Sequence, residues 1–321
     1  MLLQWHITER CNLRCTHCYQ DGRSTVELGL TESRRLLDDF VDLLAGRPGQ
    51  VTITGGEPLV RSEFFDLCGE VVDRGLGLAV LTNGVLIDDD CAGRLSALSP
   101  RFVQVSIEGD RDTHDRIRGA GSYERAIAGL KRLIGRGVPT QISFTAHRGN
   151  VDQFSHVADL GCELGVSRVW SDRLIPCGSG AELAGLDAAQ TRRLFEAMQE
   201  ARDRAAGATE IAMHRALQFL VAGGKPYHCA AGRRLLTVLP NGDLVPCRRM
   251  PIRVGNVTAT PLGELYEKSD WLQALRDPNR TPDGCRGCRY ERRCGGGLRC
   301  LAYAVHGTPF ATDPGCWRAC T

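Results

Sequence analysis

Cys11-Asn12-Leu13-Arg14-Cys15-Thr16-His17-Cys18 decides how this chain is read. Three cysteines stand at C-x3-C-x2-C spacing, directly after a short apolar run at 2–7 that reads as a strand. Three thiolates on one tight loop can hold three irons of a [4Fe–4S] cube and leave the fourth iron open to a ligand. A zinc site with His17 as its fourth ligand is the competing reading. The cysteine content favours clusters. Fifteen cysteines occur in 321 residues, and a disulfide scaffold would be much shorter and carry a leader. Glu9 and Arg10 come too early for a signal peptide. The expected location is therefore cytoplasmic, where thiols stay reduced and bind metal.

The strand before the loop is the first of six. Apolar runs at 2–7, 50–54, 77–82, 102–107, 140–145 and 168–175 alternate with helical patterns near 32–45, 63–74, 88–97, 122–135 and 151–164. Thr31, Ser62, Ser122 and Asn150 are candidate N-caps, and Gly46 is a stop signal. Strand–helix alternation gives a parallel sheet with helices outside it. Six units are too few for a closed eight-stranded barrel, so the expected fold class is α/β, an open, partial (β/α)6 barrel. Ligands of such folds sit at the C-terminal ends of the strands. A helix near 187–206 closes this first domain, residues 1–208.

Residues 209–321 form the expected second domain, small and cysteine-rich. Arg233–Leu239 and Asp243–Pro246 read as a β-hairpin about Asn241-Gly242, a pair suited to a type I′ turn. A helix near 262–276 follows. From Cys285 onward the text is Gly, Arg and Cys with little periodicity. Such a segment cannot bury enough apolar area to fold alone, so clusters have to organise it.

Composition excludes several classes. With 40 Lys+Arg against 38 Asp+Glu, the formal net charge of +2 argues against non-specific nucleic-acid binding. No run approaches the ~18 apolar residues of a membrane span. Cys68, Cys91 and Cys162 lie in apolar helical patterns and read as small buried hydrophobes.

Taken in order, further motifs join the cysteine loop. Tyr19 follows the loop, Thr54-Gly55-Gly56-Glu57-Pro58 follows the second strand, and Thr82-Asn83-Gly84 the third. Ser106-Ile107-Glu108-Gly109 and His114-Asp115-x-x-Arg118-Gly119 follow the fourth. With these motifs the sequence resembles the radical S-adenosylmethionine (SAM) superfamily from residue 2 to about 180. The resemblance implies that the open iron chelates the methionine end of SAM, and that one electron then cleaves a carbon–sulfur bond. The resulting 5′-deoxyadenosyl radical abstracts hydrogen from an unreactive C–H. It further implies a SAM site built from Tyr19, Gly55, Gly56, Glu57, Asn83 and Ser106. In it the two glycines admit the methionine backbone, Glu57 accepts from its ammonium and Ser106 meets the ribose. Arg118 or Arg173 pairs with the carboxylate. An electron donor of the flavodoxin or ferredoxin type is implied as well.

The last third resembles the SPASM extension of these enzymes, which holds auxiliary [4Fe–4S] clusters. Cys229-x12-Gly242-x4-Cys247 is followed by Cys285-x2-Cys288-x5-Cys294-x5-Cys300 and Asp313-Pro314-Gly315-Cys316. By position, Cys285, Cys288, Cys294 and Cys316 ligate an outer cluster, and Cys229, Cys247 and Cys300 an inner one. Cys320 or His228 completes the inner set, or its iron stays open, so one or two auxiliary clusters are expected. Arg248, Arg249, Arg286, Arg289, Arg292, Arg293 and Arg299 read as charge compensation.

The substrate is a small natural product or a peptide. Cys177 follows the sixth strand at the barrel mouth, and there or at Cys247 a thiol could return a hydrogen atom to a substrate radical. Asp21, Glu108, Asp110 and Asp172 could meet a cationic substrate. These features favour epimerisation of an aminoglycoside-like antibiotic sugar. The alternative is a maturase of a ribosomally made peptide, forming a thioether or carbon–carbon crosslink or oxidising a residue. A non-catalytic iron–sulfur carrier would have no use for Glu57 or an open iron.

Overall fold

The computed structural model describes residues 1–20, 26–205, 207 and 209–318. Strands β1 (Leu2–Thr8), β2 (Gln50–Gly55), β3 (Gly77–Thr82), β4 (Phe102–Ser106), β5 (Thr140–Ala146) and β6 (Arg168–Arg173) pair in parallel, each with the next. Between them lie α1 (Leu30–Leu44), α2 (Phe64–Asp73), α3 (Asp89–Ala97), α4 (Arg111–Arg118), α5 (Ser122–Gly135) and α6 (Phe154–Leu164). The partial barrel is therefore present.

Alternation along the strands divides the barrel into two chemistries. Leu3, Trp5, Ile7, Val51, Ile53, Val103, Val105 and Ile142 share one buried core with Leu37, Phe40, Leu67, Leu130 and Leu133 of the helices. Each such side chain removed from water contributes about 1.5–3 kcal/mol. The neighbouring positions are polar and face the lumen. Trp170 Nε1 of β6 donates to Gln104 Oε1 of β4 at 3.0 Å, reaching past β5. Ser106 and Ser143 pair their hydroxyls at 3.2 Å. A polar lumen is what a water-filled binding site requires.

The sheet does not stop at six strands. After α7 (Ala188–Arg204), β7 (Glu210–Ala212) adds to β6 in parallel, and the short α8 (Phe219–Ala222) follows. Strand β8 (Leu235–Val238) joins β1 in parallel, and β9 (Asp243–Val245) and β10 (Gly255–Asn256) continue antiparallel. Among the described residues the order is β10-β9-β8-β1-β2-β3-β4-β5-β6-β7. An open barrel has two unpaired edges, and the later segment covers both.

Several local expectations change. The Asn241-Gly242 turn is not type I′, because only Gly242 has positive φ, at 86°. Gly242 N donates to Leu239 O and Leu239 N to Asp243 O, the pattern of a type I turn with a left-handed glycine after it. The helix expected near 262–276 is two, α9 (Leu262–Lys268) and α10 (Asp270–Arg276), divided where Ser269 caps the second. The remaining helices are α11 (Glu291–Cys294) and α12 (Arg299–His306). Thr31 and Ser122 lie inside their helices, and Ser62 and Asn150 make no side-chain cap. Aspartates do the capping instead. Asp88, Asp110 and Asp187 accept from the backbone at α3, α4 and α7, where an anion also meets the positive end of the helix. Cys68 and Cys91 are buried as expected, but Cys162 is exposed, turned off the face that Val157, Ala158 and Gly161 bury.

Candidate active site

The cysteine loop lies over the C-terminal ends of the strands and borders a cavity with the β2, β3 and β4 loops. Two backbone bonds clasp the first loops together: Gly56 N donates to Thr8 O and Glu57 N to Arg10 O, both at 2.9 Å. Only glycine permits this. A Cβ on Gly55 would stand 2.3 Å from Thr8 O, and one on Gly56 2.4 Å from Arg10 O. The glycines admit the protein's own β1 loop while also lining the cavity.

Glu57 differs from expectation. It is fully buried and does not line the cavity. Its carboxylate accepts from Thr82 Oγ1 (2.8 Å), Asn83 N (2.7 Å) and Leu59 N (3.2 Å). Burial pushes its carboxyl up to about 7. It ties β2 to the β3 loop. Asn83 carries the tie onward, because its Nδ2 donates to Asn12 Oδ1 within the cysteine loop at 2.8 Å.

A second buried group supports the loop from the other side. Glu108 Oε1 receives His17 Nε2 (3.1 Å) and Arg118 Nε and Nη2 (3.1 and 2.5 Å), and its Oε2 receives Thr145 N (2.9 Å). Burial alone would raise the Glu108 carboxyl, but Arg118 and His17 outweigh it and hold it well below the usual range. The remaining nitrogen of Arg118, Nη1, stands 4.0 Å from Cys15 Sγ. The sequence offers Glu108 as a substrate-facing acid; its partners make it a support for the loop instead.

The donor set fits a cluster better than a zinc ion. His17 is bound to Glu108, not turned to the thiols. Among the described residues no three His, Cys, Asp or Glu side chains stand close enough to share one ion. Zn–S bonds of about 2.3 Å would require sulfurs about 3.8 Å apart. Cys11, Cys15 and Cys18 instead border the cavity together with Gly55, Gly56 and Arg118.

At the far wall, β6 ends in two oppositely charged residues that both reach the later segment. Asp172 accepts from Arg215 Nη2 at 2.7 Å and from Arg249 Nη1. Arg173 forms a bidentate pair with Asp313 at 2.7 and 2.6 Å. Arg173 is therefore engaged with Asp313 as Arg118 is with Glu108, and of the two candidates for a carboxylate Arg118 stands beside the cysteines. Ser106, Asn83 and Tyr19 line the cavity, and the Arg248 guanidinium lies 4.7 Å over the Tyr19 ring.

Neither proposed hydrogen donor lines the cavity. Cys177 Sγ donates to Tyr19 O at 3.5 Å. The thiols of Cys247 and Cys300 are neighbours. Of the later cysteines, Cys285, Cys288, Cys294 and Cys316 line one small cavity, with Phe219 and Tyr290 beside them. Cys229 is buried near Cys247, and the ring of His228 packs against Gly295. Cys320 and Asp21 lie outside the described residues.

The family model for the radical SAM superfamily matches residues 5–160, and that for the SPASM iron–sulfur cluster-binding domain matches residues 229–289. The AdoMet-dependent heme synthase of Methanosarcina barkeri is 30% identical, over 98% of this chain and 95% of its own. The PqqA peptide cyclase of Streptomyces rochei is 30% identical, over 97% and 87%. Among solved structures, Streptococcus suis SuiB bound to S-adenosylmethionine superposes with a TM-score of 0.81 at 18% identity, covering 98% of this chain and 77% of its own. Among the described residues no helix is long and apolar enough to cross a membrane.

Proposed function

Because the chain belongs to the radical SAM superfamily and carries a SPASM iron–sulfur domain, we propose that it is a maturase of a ribosomally made peptide, forming a crosslink or oxidising a residue. Its cofactors are SAM and [4Fe–4S] clusters, auxiliary clusters included. When bound, they supply reductive cleavage of a carbon–sulfur bond and abstraction of a hydrogen atom from substrate.

The chain's own residues supply the rest. Cys11, Cys15 and Cys18 hold the first cluster, with Arg118 offsetting thiolate charge at Cys15. Gly55 and Gly56 bring backbone to the SAM site, and Asn83, Ser106 and Tyr19 border it. Glu57 acts by positioning these loops. Cys285, Cys288, Cys294 and Cys316 hold the outer auxiliary cluster, and Cys229, Cys247 and Cys300 the inner one. A flavodoxin- or ferredoxin-type protein delivers electrons.

The observation that carries the substrate reading is the charge at the mouth. Glu108 and Asp172 are held by arginines, and Asp110 caps α4. A cationic aminosugar therefore meets no available carboxylate among these three. Arg14 and Arg248 border the cavity and form no ion pair among the described residues. They suit a substrate with carboxylates, such as a peptide with acidic side chains. Neither Cys177 nor Cys247, the proposed hydrogen donors of sugar epimerisation, lines the cavity. The resemblance to the peptide cyclase supports the peptide reading. The heme synthase, matched over nearly the whole of both chains, favours a second reading, a carboxylated tetrapyrrole.

The test is anaerobic incubation of reconstituted enzyme with SAM, a reductant and either of two substrates. One is a short peptide with acidic side chains, the other an iron porphyrin bearing propionates. Loss of two hydrogens per crosslink by mass spectrometry supports the first reading. A changed porphyrin with an unchanged peptide moves the assignment to the second.

A further inference from the structure

At the N-terminal end of β1, opposite the cysteine loop, a cleft of about 550 Å³ opens beside β8. Arg47, Arg233, Arg234 and Arg276 line it, and no carboxylate does. None of the four forms an ion pair among the described residues. Arg47 gives its nitrogens to the carbonyls of Leu43 and Leu44, Arg276 Nη1 is buried without a partner, and Arg233 and Arg234 are exposed. Four like charges held together without counter-ions are unfavourable unless an anion meets them. Cys229 forms part of the same wall.

We propose that this cleft is the docking site of an acidic, flavodoxin-type electron carrier, which hands its electron to the inner auxiliary cluster through the wall that contains Cys229. The inference rests on the reading of Cys229 as a cluster ligand. Charge complementarity supports an acidic partner, because its acidic side chains enter a cleft lined by four arginines and no carboxylate. Position supports it too. The backbone bond from Leu2 N to Arg234 O fixes the cleft at the start of β1, so a bound carrier leaves the barrel mouth open to substrate. The step is a single electron transfer. The reduced carrier loses one electron, the cluster gains it, and no bond or proton changes place.

The test uses reconstituted holoenzyme, a reduced flavodoxin of low isoelectric point and the double variant Arg233→Glu/Arg234→Glu. Calorimetry follows binding, and stopped flow follows bleaching of the visible iron–sulfur absorbance, which needs no substrate and so is independent of the peptide reading. The variant is expected to bind flavodoxin about tenfold or more weakly at low salt, and to bleach correspondingly slowly. Titanium(III) citrate should bleach both proteins at one rate, and Arg233→Lys/Arg234→Lys should restore flavodoxin-driven bleaching. Equal rates with flavodoxin for wild type and charge-reversed variant overturn the proposal. So does equal slowing with titanium(III) citrate, or binding of orthophosphate in the cleft that leaves flavodoxin-driven bleaching unchanged.

Discussion

Glu57 and Glu108 are both fully buried carboxylates at strand ends, and their surroundings drive them in opposite directions. Glu57 has only neutral donors, and burial raises its carboxyl to about 7 from an ordinary 4.5. Between those values the unfolded chain has released this proton while the folded protein still holds it. The contribution of Glu57 to stability therefore falls as pH rises through that window. Glu57→Gln should flatten this slope in denaturant titrations. It should also cost about 1–3 kcal/mol, because its amide meets the Asn83 N–H donor to donor. Glu108 is paired with Arg118 and His17. Glu108→Gln leaves Arg118 buried without a counter-charge, a loss of about 3–5 kcal/mol. Cys15 loses its oriented neighbour as well. Iron analysis should then show about four irons missing while the auxiliary clusters remain.

At the scale of elements, the site depends on how closely loops approach. The β1 and β2 loops touch backbone to backbone only because Gly55 and Gly56 carry no side chain. Gly56→Ala must push the cysteine loop away from β2. The expected result is a folded protein with weakened SAM binding by equilibrium dialysis and less 5′-deoxyadenosine; unchanged affinity would show that the clasp is dispensable. At α7 the capping box of Asp187 and Gln190 satisfies two backbone donors. Asp187→Ala should lower stability by about 1 kcal/mol in denaturant unfolding, without altering iron content.

For the whole molecule, Asp172 and Arg173 matter most. These adjacent residues at the end of β6 fasten the cysteine-rich segment to the barrel through Arg249, Arg215 and Asp313. Asp313 also accepts from Leu298 N and Gly315 N, so the same carboxylate orders the backbone just before Cys300 and just before Cys316. Arg173→Met leaves Asp313 buried and unpaired, and about 3–5 kcal/mol should be lost. Limited proteolysis should then cut first beyond residue 280. Protease resistance equal to that of wild type would mean that the clusters alone hold the segment.

Period and punctuation were enough to read the barrel. The six strands fall within two residues of the apolar runs, since each is a short buried stretch bounded by turn residues. The cysteine loop and the Gly-Gly-Glu turn were legible for the same reason, as local patterns at strand ends. Roles that depend on distant partners were not legible. Whether Glu57, Glu108, Asp172 or Arg173 faces a ligand or another side chain is decided by residues 10 to 140 positions away, which no local pattern encodes. The addition of β8 to β1 likewise belongs to the tertiary structure. Sequence determined which chemistry the chain carries. Only folding decided which of its charges remain available, because that depends on burial and pairing across the whole molecule.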